Sequence, residues 1–390
     1  MACEQVTLQD VCELIVDCPH TSAKDEGVGY PLIRTPNVGR GRLILTDVHR
    51  VSQDVYERRV SRAVPRQGDL ILAREAPAGN VAIVSPGIEV CLGQRTMLLR
   101  PDSSFVVPEY LNYYLNAPEQ RDRMLRLANG ATVSHINVAD IRNMPVQLPS
   151  RGEQSKVAEL LNVLDDKIDL NNRLNDYLEQ LVDGKFQELF GGLNFNATLS
   201  DVAEITMGQS PAGSSYNEEG AGIIFYQGRG EFGWRFPKRR LYTTEPKRLA
   251  CEGDVLMSVR APVGDLNVAF ENCCIGRGLA TIHSETPSFA LYLMRFLKPQ
   301  LEAYNGEGTV FGSINGKALK SLEVALPSHN EVMQFESFAA PIDALIRSNE
   351  NETRKLNNLR NYLLPKLMSG EIDVSKVDLT QLTNNHLADY

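Results

Sequence analysis

The sequence is short of the features that mark several common protein classes. No apolar run approaches the ~20 residues of a membrane-spanning helix. The opening stretch, MACEQVTLQDVCELIVDC, carries acidic residues and no basic region, so it does not read as a secretory signal. The seven cysteines (Cys3, Cys12, Cys18, Cys91, Cys251, Cys273, Cys274) are odd in number, and none forms a C-x-x-C pair. A disulfide framework or zinc cluster is not expected, and a reducing cytoplasm fits. The six histidines (His20, His49, His135, His283, His329, His386) are scattered without metal-ligand spacing. A nucleotide-binding phosphate loop is missing. Its nearest approach, GSINGKA (312–318), has three residues between its glycines and no Ser or Thr after the lysine. No G-x-G-x-x-G turn follows a strand, and the Asn-Pro-Pro-Tyr/Phe string of adenine methyltransferases is absent. The Asp165-Asp166-Lys167 run reads as the solvated face of a helix. The chain is therefore expected to hold no catalytic residue, metal or cofactor of its own.

An excess of basic charge is also missing. The net charge is −9, the wrong sign for a simple nucleic-acid binder. Its distribution says more than its total. Residues 1–150 and 196–327 are each net −1, while 151–195 and 328–390 carry −4 and −3. Of the 16 basic residues in the first block, 15 are arginine. The guanidinium fork matches guanine edges and phosphates in a way that lysine cannot.

What the sequence does contain is an internal repeat. TLQDV (7–11) recurs as TLSDV (198–202), and QGDLILAREAPAG (67–79) as EGDVLMSVRAPVG (252–264). CLGQR (91–95) recurs as CIGRG (274–278), GATVSHIN (130–137) as GTVFGSIN (308–315), and IRNMPVQLP (141–149) as LKSLEVALP (319–327). The order is kept throughout, so the chain is a duplicated domain rather than a solenoid.

The repeat runs on into two long helices. Val157, Leu160, Leu164, Asn171, Leu174, Leu178 and Leu181 lie on one seam, interrupted by Lys167. Phe335, Phe338, Ile342, Leu345, Asn349, Glu352, Leu356 and Leu359 lie on the other. The alternation of threes and fours is coiled-coil spacing. Asn171 and Asn349 occupy the same seam position. Either they are buried and fix register, or the seam opens to solvent there. Pro149 and Pro327 precede the helices, and Gly191-Gly192 and Gly370 follow them. Roughly 40 residues of helix make a rod of about 60 Å. The two stripes are expected to bury each other, antiparallel and with pseudo-twofold symmetry. The pairing residues singled out are Leu160, Leu164, Asn171, Leu174, Leu178, Phe338, Ile342, Asn349, Leu356 and Leu359.

The blocks between the helices read as mixed α and β. The runs DLILA (69–73), NVAIV (80–84) and TMLLR (96–100) lie between Gly and Pro turns. A helix is expected over 108–127, with SFALYLMRFL (288–297) as its second copy. Gly68-Asp69 and Gly253-Asp254 read as turns that launch buried strands. The predicted fold class is α+β. Two mixed α/β domains, 1–149 and 192–327, alternate with helices over 150–191 and 328–372, and a tail covers 373–390.

At this level of detail the sequence resembles the specificity subunits of type I restriction–modification systems. The resemblance spans about residues 7–372. It is carried by GDVLMSVRAPVGDLNVAF (253–270), CCIGRGLATI (273–282) and LRNYLLPKLMSGEI (359–372). The first copy departs from the pattern: AREAPAG replaces SVRAPVG, and its helix ends in LVDGKFQELF (181–190). The resemblance implies a non-catalytic, cytoplasmic, DNA-binding chain in which each block is a target recognition domain for half of a bipartite double-stranded site. It implies that the helices dock two methyltransferase subunits. Those partners would carry S-adenosylmethionine, and a separate motor–nuclease (restriction) subunit would use ATP and magnesium. Two other readings compete: a structural scaffold joining protein partners through its coiled coil, and an enzyme with an unrecognised site.

Base edges are read by Arg, Lys, Asn, Gln, Ser and Thr on exposed loops. In the first block the candidates are Arg34, Thr35, Asn37, Arg40 and Arg42, then Gln94 and Arg95, then Thr132, Ser134 and His135. In the second block the loop YQGRGEFGWRFPKRR (226–240) supplies Gln227, Arg229, Trp234, Arg235, Lys238, Arg239 and Arg240. Arg260, Arg277, Thr309 and Ser313 complete the set. Arg95, Arg260 and Arg277 lie in the repeated framework, where internal ion pairs compete with DNA contact.

Overall fold

The structure is a computed structural model that describes residues 4–75, 77–128, 135–306 and 312–376. Two compact units make up the chain: residues 1–170 with 353–390, and residues 171–352.

In the first unit, strands β1 (Cys12–Asp17), β2 (Gly41–Arg42), β3 (Leu70–Ala73), β4 (Val81–Ile83) and β5 (Thr96–Pro101) form a sheet in the order β1-β5-β3-β4-β2. Its neighbours are antiparallel except β4 and β2. All four residues of β3 are buried, as an unbroken apolar run predicts for a strand covered on both faces. A second sheet pairs Tyr30–Ile33 with Arg50–Val51 and, in parallel, with Cys91–Leu92. Strand Glu4–Thr7 returns against Pro145–Leu148 and closes the block on itself.

The helix expected over 108–127 is two helices, Pro108–Asn116 and Pro118–Leu127. The break falls at Ala117, which is extended at φ −62° and ψ 145°. A residue before proline is pushed out of the helical region, and Pro118 then opens the next helix. Tyr110, Leu111, Tyr114 and Leu115 are buried against β-sheet residues Leu70, Leu72, Met97 and Leu99.

The second unit repeats this plan. Strands β6 (Glu204–Met207), β7 (Val255–Ser258), β8 (Leu266–Val268) and β9 (Leu279–His283) form an antiparallel sheet ordered β6-β9-β7-β8. Here too Ile223–Tyr226 pairs in parallel with Cys273–Ile275, and Ala197–Thr198 pairs with Glu323–Val324. The Gly-Asp turns are equivalent in detail. Gly68 and Gly253 both take a positive φ, 86° and 88°. In each turn the Asp carboxylate accepts the backbone N–H three residues before it, Arg66 to Asp69 at 2.9 Å and Cys251 to Asp254 at 2.8 Å.

The long helices span Arg151–Phe190 and His329–Met368. Reciprocal capping boxes start both. Glu153 accepts from the N–H and hydroxyl of Ser150 at 2.9 and 2.7 Å, and Glu331 accepts from Ser328 at 2.8 and 2.7 Å. The S-x-x-E strings explain the helix starts more directly than the prolines before them. In the first unit, Val157, Leu160 and Leu161 join one cluster with Leu363, Leu364 and Leu367. Arg360 donates to Asp165 there at 2.6 Å. In the second, Phe186 and Phe190 pack edge-on against Phe335, with ring centroids 5.3 and 5.7 Å apart.

The asparagines are buried, which excludes an open seam. Asn171 donates to Glu352 at 2.7 Å, and Asn349 donates to Asn175 at 2.8 Å. The rest of the expected seam needs correction. Leu160 and Leu164 are buried, and Leu178, Phe338, Ile342 and Leu356 are half-buried. Leu174 and Leu359, however, are 38% and 45% exposed. The buried track passes instead through Asn175, Val182, Phe186 and Phe190 on the first helix, and through Ala339, Ile346 and Thr353 on the second. A straight helix has 3.6 residues per turn, so a stripe read at 3.5 drifts off the contact line within a few turns.

Candidate nucleic-acid interface

In the first unit, the loop after Ile33 begins with a single 3-10 turn, Thr35–Asn37. Thr35 and Asn37 are buried, contrary to the role expected of them. Asn37 accepts from the Arg34 N–H at 3.2 Å and donates to the Ile44 carbonyl at 3.2 Å, so it braces the loop from within. Arg34 is half-buried. Arg42 pairs with Asp166, at 2.5 Å, and with Asp169, which pins the loop to the long helix. Only Arg40 of this set is exposed with no ion pair among the described residues. Gln94 donates to the His20 carbonyl at 3.0 Å, and Arg95 pairs with Glu75 at 2.9 Å. His135 forms an isolated bridge with Glu75. Thr132, Ser134 and Thr309 lie outside the described residues.

In the second unit, Arg235 requires the clearest correction. It is 4% exposed and donates to Asp343 at 2.8 Å, to Glu179 at 3.0 Å and to the Tyr292 hydroxyl at 3.1 Å. Burial alone would lower its pKa. The Tyr292 hydroxyl oxygen and the carboxylates of Asp343 and Glu179 outweigh burial and hold it above the ordinary arginine value. It anchors the loop to both long helices and cannot reach a base. Its neighbour Trp234 is 43% exposed, and the guanidinium lies 5.6 Å from the indole centroid. Arg229 pairs with Asp265, Arg239 with Glu271 at 2.6 Å, and Arg240 with Glu231 at 2.8 Å. Gln227 and Lys238 are exposed.

The framework positions separate cleanly. Glu75 and Arg260 are equivalent, since each forms an isolated bridge to the matching residue of the repeat, His135 and Ser313. In the first unit Glu75 holds Arg95. In the second, glycine stands at the position of Arg95 and arginine at that of Glu75. Arg260 and Arg277 are accordingly exposed and make no ion pair among the described residues, and Ser313 is exposed beside them.

Two of the recesses on the second unit differ in charge. One, of about 950 Å³, is lined by Arg229, Trp234, Arg295 and Lys298, but also by Asp183 and Asp265. Its carboxylates bind its cations: Asp183 takes Arg295 at 2.6 Å, and Asp265 takes Arg229 and Lys298. The other, of about 740 Å³, is lined by Arg248, Lys317 and Lys320 with Thr198, Ser200, Thr206 and Ser321, and by no carboxylate. None of these three cations makes an ion pair among the described residues. Sequence reasoning missed them because they come from two segments some seventy residues apart.

The family profile described as "Type I restriction modification DNA specificity domain" matches residues 2–180 and again 196–361. This chain belongs to the family of type I restriction–modification specificity subunits. Specificity subunits are the non-catalytic DNA-recognition components of those systems. A type I restriction enzyme MjaX specificity subunit from Methanocaldococcus jannaschii is 31% identical over 396 residues, covering 94% of this chain and 93% of that one. The MjaIX specificity subunit of the same organism is 22% identical, covering 85% and 84%. Among solved structures, the type I restriction–modification S subunit from M. genitalium superposes with a TM-score of 0.61 at 15% identity, covering 94% of this chain and 96% of that one. That likeness extends to the fold. Among the described residues of this specificity subunit, no helix is long and apolar enough to cross a membrane.

Proposed function

We propose that this specificity subunit reads a bipartite DNA site, one half-site per recognition domain, and docks two methyltransferase subunits through its long helices. The observation that carries the reading is the duplication of the whole frame. Both units share the same order of four main-sheet strands and the same parallel second-sheet pair, the same Gly-Asp turn and the same capped helix start. Each unit closes its own core, so its loops can diverge without disturbing the other. The pairing residues support an antiparallel coiled coil, because partners of rising number on one helix have falling numbers on the other. The domain limits that follow are 1–149 and 192–327 for recognition, and 150–191 and 328–372 for the helices.

Base reading falls to exposed cations and amides whose side chains no partner holds among the described residues, Arg40, Gln227, Lys238, Arg260 and Arg277. The carboxylate-free recess of Arg248, Lys317 and Lys320 suits a backbone phosphate, which positions the duplex without selecting sequence. Leu174, Tyr177 and Leu181 are exposed at helical spacing and offer an apolar stripe to a partner. S-adenosylmethionine then belongs to the methyltransferase partners, and ATP with magnesium to a motor–nuclease partner.

The test is methylation mapping of the full complex before and after exchanging residues 196–326 for the matching domain of a relative. One half of the site should change and the other should stay. A change in both halves would overturn the reading.

A further inference from the structure

The Gly-Asp turn before β7 brings three side chains together that are far apart in sequence. The Cys251 sulfur, an Asp254 carboxylate oxygen and a His283 ring nitrogen all lie within 4.8 Å of one another. Asp254 is buried, whereas Cys251 and His283 are exposed. Its Oδ2 accepts from the Cys251 N–H and from the Thr281 hydroxyl, both at 2.8 Å. Its Oδ1 lies 2.6 Å from His283 Nδ1. The carboxylate is thus held in one orientation by neighbours that leave Oδ1 turned toward the histidine.

The duplication supplies an internal control. Leu70 faces Leu99 in the first sheet and Val255 faces Ile282 in the second, so Arg100 and His283 are equivalent. The same frame makes Arg66 equivalent to Cys251 and Asp69 to Asp254. In the first unit Arg100 clasps Asp69 with two bonds, from Nε at 2.9 Å and from its terminal nitrogen at 2.8 Å. That fork ties the turn to the end of β5. In the second unit the aspartate and its backbone bond are kept, but both arginines are gone. A thiol and an imidazole stand in their places, and the single bond from His283 is a weaker tie than a fork.

We propose that Cys251, Asp254 and His283 bind a thiophilic divalent transition metal, zinc above all, which ties the turn to β9 as Arg100 ties it to β5 in the first unit. Thiolate, imidazole and carboxylate together suit zinc, whereas magnesium and calcium call for oxygen ligands throughout. Zinc needs its donors at about 2.0–2.3 Å, so the Cys251 sulfur must draw in while the 2.6 Å contact between Asp254 Oδ1 and His283 Nδ1 opens to admit the ion. Cys251 and His283 are free to rotate at the surface while Asp254 stays fixed. Water completes the fourth position. Binding displaces the thiol proton, so affinity rises with pH.

The experiment uses the full chain, stripped with a chelator and titrated with Co²⁺ and then Zn²⁺. The expected result is one ion per chain, with a thiolate-to-cobalt charge-transfer band that is lost in Cys251→Ser. His283→Ala should weaken binding at least tenfold. Zn²⁺ should raise the melting temperature of the parent chain. It should have no effect on the double variant Cys251→Arg/His283→Arg, which restores the residues of the first unit and keeps the fold without metal. No cobalt band, a band that survives Cys251→Ser, or an equal thermal shift in the double-arginine chain would each overturn the proposal.

Discussion

Asn349 donates its side-chain amide to the Asn175 carbonyl at 2.8 Å, and both side chains are buried. Toward Phe186 and Phe335 the helices next bury apolar residues, Ile346 on one and Val182 on the other, and in the opposite direction the Asn171–Glu352 bond follows. A polar pair in such a place costs stability relative to leucine but penalises any slip that would leave an amide unpaired. Replacing Asn349 alone with leucine strands the Asn175 carbonyl and should cost about 1–3 kcal/mol. Replacing both should recover that loss while relaxing register. Urea denaturation of the single and double variants checks the first part, and disulfide trapping of shifted cysteine pairs checks the second.

Arg235 and Arg277 both looked like base readers, and they should now behave oppositely. Arg235→Met leaves Asp343 half-buried without its cation and leaves Glu179 to Arg295 alone. Breaking a buried pair from one side costs about 3–5 kcal/mol, so the loss should appear in the melting curve of the chain before any DNA is added. Arg277→Ala should leave the melting temperature unchanged and weaken retention of the cognate site more than of unrelated DNA. A thermal loss in Arg277→Ala would mean that it, too, holds the fold.

The contrast shows what the sequence could and could not disclose. Repetition made the architecture legible, because a frame used twice leaves the same strings at the same spacing: the Gly-Asp turns, the prolines ahead of the long helices, and Asn171 with Asn349. Side-chain roles were much less legible. Asn37 and Arg235 have the composition of a DNA loop, yet burial turns them inward, and polarity alone does not distinguish a brace from a reader. Leu174 and Leu359 fit a heptad on paper and miss the contact line through the 3.6-residue turn. Cys251, Asp254 and His283 looked unrelated because strand pairing, not sequence spacing, sets their proximity.

The repeated TLQDV and TLSDV strings carry a stability prediction rather than a DNA contact. Asp10 accepts the Thr7 hydroxyl at 2.6 Å and its N–H at 2.9 Å, and Asp201 accepts both from Thr198 at 2.8 Å. The side-chain bond from Thr7 chiefly lowers the Asp10 pKa, and the backbone bond from Thr198 chiefly lowers that of Asp201. A carboxylate with a depressed folded pKa adds stability above its ordinary value, and that contribution disappears as pH falls through the depressed one. Asp10→Asn and Asp201→Asn should therefore flatten the acid side of the stability curve and change nothing as pH rises from neutral. Melting temperatures from pH 7 downward check this.

The recess of Arg248, Lys317 and Lys320 separates phosphate contact from base reading. Each phosphate neutralised on duplex DNA adds about 0.9 to the slope of log affinity against log salt. Changing all three residues to glutamine should reduce that slope by up to about 3 while leaving the preference for the cognate site over a mutated one intact. Titrations at several salt concentrations give both quantities. A lost preference with an unchanged slope would reassign the recess to base reading.

The two helices start from identical caps and are the same length, 40 residues. We propose that they also set the gap between the two half-sites; four extra residues in each then add about 6 Å, since a helix rises 1.5 Å per residue. Duplex DNA advances about 34 Å in ten base pairs, so the insertion is worth close to two base pairs of spacer. Four residues are also nearly one full turn, so the buried faces beyond the insertion return almost to their original direction. Methylation mapping of the enlarged subunit with its partners should therefore show the same two half-site sequences around a longer gap. Recovery of the original gap would mean that the loops, and not the helices, fix the spacing.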